Sequence, residues 1–160
     1  IGTEVAKIAR AIGCRVIGFK RKPIDGIECV PLDELMRRSD IITIHLPLSD
    51  ETSGIVSRDM ISLAKKNAII FNAARGAVWD EAAVADAVLS GNVAAMGADV
   101  YSTEPFGADH PFTKLLSLDN VCLLPHMSWG AYESRVRCLD EIVLNIEAFF
   151  DGKIRCRVDI

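Results

Sequence analysis

The sequence predicts an α/β protein built on a doubly wound parallel sheet. Three observations predict it. Apolar runs of strand length recur, ending at Phe19, His45, Asn72, Asp99 and Pro125, one every 26 or 27 residues. The runs are continuous rather than alternating, as in parallel strands covered on both faces. Each interval has room for a strand, a turn and a crossover helix.

The elements follow in order. Gly2 to Ile12 sets Val5, Ile8, Ala9 and Ile12 at helical spacing, with Gly13 as the stop. Arg15 to Phe19 is the first apolar run. Pro31 opens a short helix with Leu32, Leu35 and Met36 on one face, and Ile41 to His45 is the second run. Ser57 can cap a turn that holds Met60, Ile61 and Leu63. The third run is Ala68 to Asn72; Asp80 then precedes a helix from Glu81 to Leu89 that ends at Ser90-Gly91. Ala94 to Asp99 and Val121 to Pro125 are the last two runs. Ala131 to Phe150 reads as a long amphipathic helix carrying Val136, Ile142, Val143, Ile146 and Phe149, stopped near Asp151-Gly152. No linker or second composition zone is visible before Gly152.

Composition narrows the function. The chain has 160 residues, half of them hydrophobic and a quarter charged, a balance that excludes disorder. Eighteen basic against 22 acidic residues leave a formal charge of −4 with no basic excess, which argues against a nucleic-acid partner. No apolar stretch reaches the roughly 18 residues of a membrane span, and no secretory leader is read at Ile1. The five cysteines contain no C-x-x-C; Cys14, Cys29 and Cys122 are expected to be small buried thiols in a protein of the reducing cytoplasm.

In an open α/β sheet, ligands bind outside the carboxyl ends of the strands. Those ends carry Lys20-Arg21-Lys22, His45-Leu46-Pro47, Asn72-Ala73-Ala74-Arg75-Gly76, Asp99 with Glu104-Pro105, and Pro125-His126. A histidine that titrates near neutrality can serve a carbinol–carbonyl interconversion. A carboxylate beside it can fix its tautomer and raise its pKa. An arginine can clamp a substrate carboxylate and polarise the neighbouring carbonyl. Hydride would come from a nicotinamide lying across the strand ends. Taken singly, His126 reads equally well as a structural strand-end histidine, and Glu104 as a solvated loop carboxylate. His45 and His110 are expected to have no catalytic role.

Six marks then fall in order: Ile1-Gly2-x-x-Val5-Ala6, His45-Leu46-Pro47-Leu48, Asn72-Ala73-Ala74-Arg75-Gly76 followed by Asp80-Glu81, Gly97-Ala98-Asp99-Val100, Glu104-Pro105 and Pro125-His126. In this order and spacing the sequence resembles the cofactor-binding domain of the D-isomer-specific 2-hydroxyacid dehydrogenases, from Ile1 to about Lys153. The resemblance implies a Rossmann-like dinucleotide-binding domain over residues 1–153, with 154–160 starting a return toward a separate substrate domain. It implies that Arg75 binds and polarises a 2-oxo acid, that His126 is the general acid/base and that Glu104 orients His126. It also implies cofactor contacts at Gly2, Lys20, Arg21, His45, Pro47, Ala73 and Asp99, the last to the nicotinamide carboxamide. A homodimer acting on a small 2-oxo or 2-hydroxy acid is expected, with no metal ion. Corepressor-like members of the family keep the same Arg, Glu and His, so a dinucleotide-sensing scaffold is the alternative.

The departures carry expectations of their own. Of the family's G-x-G-x-x-G phosphate loop only the last glycine, Gly2, is present, and the strand before it is missing. The sheet should therefore hold an open position that another chain segment covers, and the piece alone should bind dinucleotide poorly. Trp79 stands where the family has a small aliphatic residue and is expected to alter packing behind the Arg75 turn. Counting 18 residues from Gly2 reaches Lys20, followed by Arg21 and Lys22, where NAD enzymes place one acid; these cations suggest NADP(H), while solvated turn residues in an NAD enzyme are the other reading. Asp25 lies too far along to substitute. Trp129, three residues beyond His126, reads as a wall for a short substrate such as hydroxypyruvate or glyoxylate, or as plain packing.

Overall fold

The five apolar runs condense into five short strands. The computed structural model describes residues 1–20 and 25–158. Its strands are β1 (Ile17–Gly18), β2 (Glu28–Cys29), β3 (Ile41–Ile44), β4 (Ile69–Asn72), β5 (Ala95–Ala98) and β6 (Val121–Leu123). The helices are α1 (Gly2–Ala11), α2 (Leu32–Arg38), α3 (Arg58–Ser62), α4 (Glu81–Leu89) and α5 (Tyr132–Phe150). Among the described residues every strand pair is parallel.

The caps act as their chemistry requires. Gly13, at φ +94°, takes the left-handed conformation that ends α1. The Ser57 hydroxyl accepts the Met60 N–H at the start of α3, and the Asp80 carboxylate accepts the Ala83 N–H at 2.8 Å at the start of α4.

The strands form two sheets. β1 pairs with β2, while β3, β4, β5 and β6 lie side by side in that order. β2 is an addition to the sequence reading, which has no apolar run there. It is a strand because β1 offers its backbone partners, and its Glu28 carboxylate accepts hydrogen bonds from Arg15 at 2.8 Å and Arg38 at 2.7 Å. β1, β3, α1 and α2 border a cavity of about 880 Å³ lined by residues such as Ala6, Ile17, Met36 and Ile42.

Two expectations need correction. Burial along β3 and β4 alternates: Ile42, Ile44, Ile70 and Asn72 are buried, whereas Ile41 and Phe71 are exposed. The inward side chains join one core with Met36, Ile61, Val84, Val88 and Met96, so continuous apolarity does not mean equal cover on both faces. The cysteines are also not buried. All five are exposed, Cys29 because β2 turns both of its side chains outward.

The chain divides into two compact units, Ile1–Pro125 and His126–Ile160. The first holds both sheets and α1 to α4. The second holds α5, on which Val136, Ile142, Val143, Ile146 and Phe149 are exposed and Ala148 is buried; the Arg155 guanidinium pairs with Glu141 on that helix at 2.8 Å.

Candidate active site at the strand ends

Register brings the candidate residues of the first unit to one edge. Ile44 lies opposite Asn72, Asn72 opposite Ala98, and Ala98 opposite Leu123. The next residues along each strand, His45, Ala73 and Asp99, therefore emerge from the same carboxyl edge.

The Arg75 turn is built by Asn72. This side chain is 1% exposed; its amide N–H donates to the Arg75 carbonyl at 2.9 Å, and its Oδ1 accepts the Ala74 N–H at 3.0 Å. Both ends of the buried amide are thus satisfied by the loop that they shape. Arg75 itself is exposed, with Nη1 donating to the Ala74 carbonyl at 2.6 Å. Behind the turn, Trp79 is buried and packs edge-on against Phe112 with ring centroids 5.8 Å apart, as the packing role requires. Among the described residues its indole N–H has no hydrogen-bond partner.

The Arg75 turn presses on the loop after β5. A Cβ at Gly76 would lie 1.9 Å from the Tyr101 carbonyl carbon and 2.2 Å from the Ser102 nitrogen. Tyr101 in turn donates its N–H to Glu104 Oε1 at 2.8 Å and its hydroxyl to the Leu124 carbonyl at 2.7 Å. Glu104 is exposed; Asp99 is buried, with its own N–H donating to the Asn72 carbonyl at 3.0 Å. Burial, then the negative charges of Asp99 and Glu104, push the Tyr101 phenol up to about 12.

Of the residues expected to meet a cofactor, Gly2 begins α1 and His45 follows β3. A Cβ on Gly2 would stand 3.4 Å from the His45 ring, so glycine keeps the helix start and the imidazole close. His45 Nε2 lies 3.0 Å from the Thr43 hydroxyl. Burial holds the His45 imidazole below its usual range. Pro47 is exposed, and its carbonyl accepts the Thr52 hydroxyl at 2.6 Å; Ala73 and Lys20 are exposed. Arg21 and Lys22 lie outside the described residues.

In the second unit, His126 has φ +55°, a left-handed conformation uncommon outside glycine. Its carbonyl accepts the indole N–H of Trp129 at 3.0 Å. Trp129 therefore makes a specific polar contact that neither sequence reading, wall or packing, foresees.

Sequence reading also passed over Asn72 as a loop builder and His110 as a partner for Glu81. The signals were present: an amide ending an apolar strand, and one acid opening a helix otherwise rich in Ala and Val.

A model of the family "D-isomer specific 2-hydroxyacid dehydrogenase, NAD binding domain" matches residues 1–128. The chain is 43% identical over 157 residues to a hydroxypyruvate reductase of Blautia hydrogenotrophica, covering 95% of this chain and 48% of that protein. It is 39% identical over 160 residues to a glyoxylate reductase of Aeropyrum pernix, covering 96% and 47%. The chain thus spans about half the length of the curated relatives it matches. Its fold superposes on D-lactate dehydrogenase with NAD+ from Lactobacillus jensenii at a TM-score of 0.91 and 25% identity, over 100% of this chain and 52% of that one. An acyclic imino acid reductase in complex with NADPH and D-Arg aligns at 0.84 with 33% identity, over 96% and 48%. Its motifs, sheet and relatives agree, and the chain belongs to the D-isomer specific 2-hydroxyacid dehydrogenase family, whose NAD binding domain it carries.

Proposed function

We propose that the chain is the dinucleotide-binding part of an oxidoreductase that interconverts a short D-2-hydroxy acid and its 2-oxo acid, with hydroxypyruvate or glyoxylate as the 2-oxo acid. The observation that carries the reading is the backbone junction of Gly76 with Tyr101 and Ser102. It packs an arginine turn and a carboxylate loop together at the strand ends.

In this reading the Arg75 guanidinium pairs with the substrate carboxylate and polarises the adjacent carbonyl. His126 gives a proton to the carbonyl oxygen during reduction and removes it from the hydroxyl during oxidation, while Glu104 orients its imidazole. A reduced nicotinamide held at these strand ends would supply the hydride for the 2-carbon. Asp99 accepts from the carboxamide of the cofactor, and Gly2, His45, Pro47 and Ala73 lie along it. The start of α1 suits a pyrophosphate: Ile1 provides no side-chain cap, and the nearby acid, Glu4, is paired with Lys7 at 2.7 Å. Lys20 and Arg21 favour NADP(H) over NAD(H). Trp129 borders the substrate, residues 1–153 form the domain and 154–160 lead from it, and the enzyme works as a cytoplasmic homodimer.

The test is kcat/KM of the full-length protein on hydroxypyruvate and glyoxylate with NADPH and NADH. One arginine on a 2′-phosphate favours NADPH by roughly ten- to a hundred-fold, a preference that shrinks as salt rises. Dinucleotide binding without turnover of any 2-oxo acid would favour the sensing scaffold instead.

A further inference from the structure

We propose that the buried pair Glu81 and His110 is a positioning device: it fixes the Tyr101–Ser102 peptide, and through that peptide sets both Glu104 and the Arg75 turn. The proposal rests on the dehydrogenase reading above and extends it to two residues that reading leaves without a role.

Glu81 opens α4 and is 8% exposed; His110 is 9% exposed. A carboxylate so far from water is costly unless its oxygens are bonded. Glu81 Oε1 accepts the Ser102 N–H at 2.8 Å, and Oε2 accepts the Ser102 hydroxyl and meets His110 Nε2 at 3.1 Å. On the far side of the ring, His110 Nδ1 accepts the Phe112 N–H at 3.2 Å. That bond selects the tautomer with its proton on Nε2, so the imidazole donates to Glu81. Phe106, Phe112 and Tyr101 surround the ring, with centroids 4.7, 5.1 and 5.8 Å away.

Through Glu81 the pair grips the Tyr101–Ser102 peptide unit. Its Ser102 nitrogen is held by Glu81; its Tyr101 carbonyl carbon and Ser102 nitrogen are the atoms that crowd Gly76, next to Arg75. The N–H one peptide earlier, that of Tyr101, binds Glu104 Oε1. A shift of this unit would move an arginine and a carboxylate together, and misplacements near 1 Å can cost catalysis about a hundred-fold.

The experiment measures kcat and KM in the full-length protein for Glu81→Gln, Ser102→Ala, Glu104→Ala and the Glu81→Gln/Glu104→Ala double variant. Glu81→Gln and Ser102→Ala should lower kcat about ten-fold with dinucleotide KM unchanged. In the Glu104→Ala background, Glu81→Gln should cost less than it does alone, because the part it exerts through Glu104 is already lost and only the part exerted through the Arg75 turn remains. Fully multiplicative losses, or an unchanged kcat in Ser102→Ala and Glu81→Gln, would overturn the proposal. An unchanged kcat in Glu104→Ala alone would instead overturn the reading of the site, and the proposal with it. Ser102→Ala keeps the test open if Glu81→Gln does not fold, since it removes one hydroxyl from an exposed residue. Nitrogen chemical shifts of His110 should report a neutral ring protonated on Nε2; a ring protonated on Nδ1 would overturn the proposed geometry.

Discussion

Gly76 and Tyr101 meet backbone to backbone, so closely that the first side-chain carbon at position 76 would lie 1.9 Å from the Tyr101 carbonyl carbon. Neither partner can swing aside, because the obstructing atoms belong to the main chain. Gly76→Ala should therefore destabilise the fold by about 3 kcal/mol or more. The urea midpoint of unfolding measures it. Gly97→Ala, whose added carbon would meet the exposed Phe71 side chain at 2.6 Å rather than main-chain atoms, should cost less.

Tyr101 should stay un-ionised well above the usual range for tyrosine. Its folded pKa, pushed up to about 12 from 10.0, means the native state holds this proton more tightly than the unfolded state. The contribution to stability is complete below about pH 10 and disappears as pH rises through about 12. A tyrosinate absorbance titration of the Tyr132→Phe variant isolates Tyr101, since the chain has two tyrosines. Titration at the ordinary value would show that the buried hydroxyl bond to Leu124 does not persist in solution.

His45 has the opposite sense. Its folded pKa lies below 6.5, so the native state resists protonation and the unfolded chain does not. Stability from this group is present above about pH 6.5 and is lost as pH falls through the folded pKa. The pH dependence of the melting temperature between pH 5 and 7, about the range in which histidine titrates, should flatten in His45→Gln.

Trp129→Phe keeps an aromatic ring and removes the indole N–H that binds the His126 carbonyl. His126 is held at φ +55°, a conformation that costs a non-glycine residue roughly 1–2 kcal/mol. If the bond matters more than the ring, kcat should fall several-fold, about what 1 kcal/mol commands, with little change in KM for the 2-oxo acid. A raised KM at constant kcat would show that the ring serves as a pocket wall.

Asp80→Ala should remove about 1 kcal/mol by leaving the Ala83 N–H of α4 without its cap. Thermal unfolding at neutral pH measures it, and Asp80→Asn should recover most of the loss.

The sequence by itself determined five of the strands and their parallel direction, because a 26- or 27-residue rhythm of apolar runs leaves little but parallel strands joined by crossovers. Capping at Ser57 was equally legible, since a cap is a contact across three residues. The candidates Arg75, Asp99 and Glu104 were visible as polar residues at strand ends. Tertiary structure alone decided which faces are covered: Cys122 and Phe71 look like core residues in sequence and are exposed in the fold. It also decided how the site is braced. Glu81 and His110 are 29 positions apart, and Gly76 and Tyr101 are far apart in the chain, so no local pattern couples them. Their contact follows from two loops leaving neighbouring strands, β4 and β5, at the same edge, where burial turns an ordinary acid and histidine into a bonded pair.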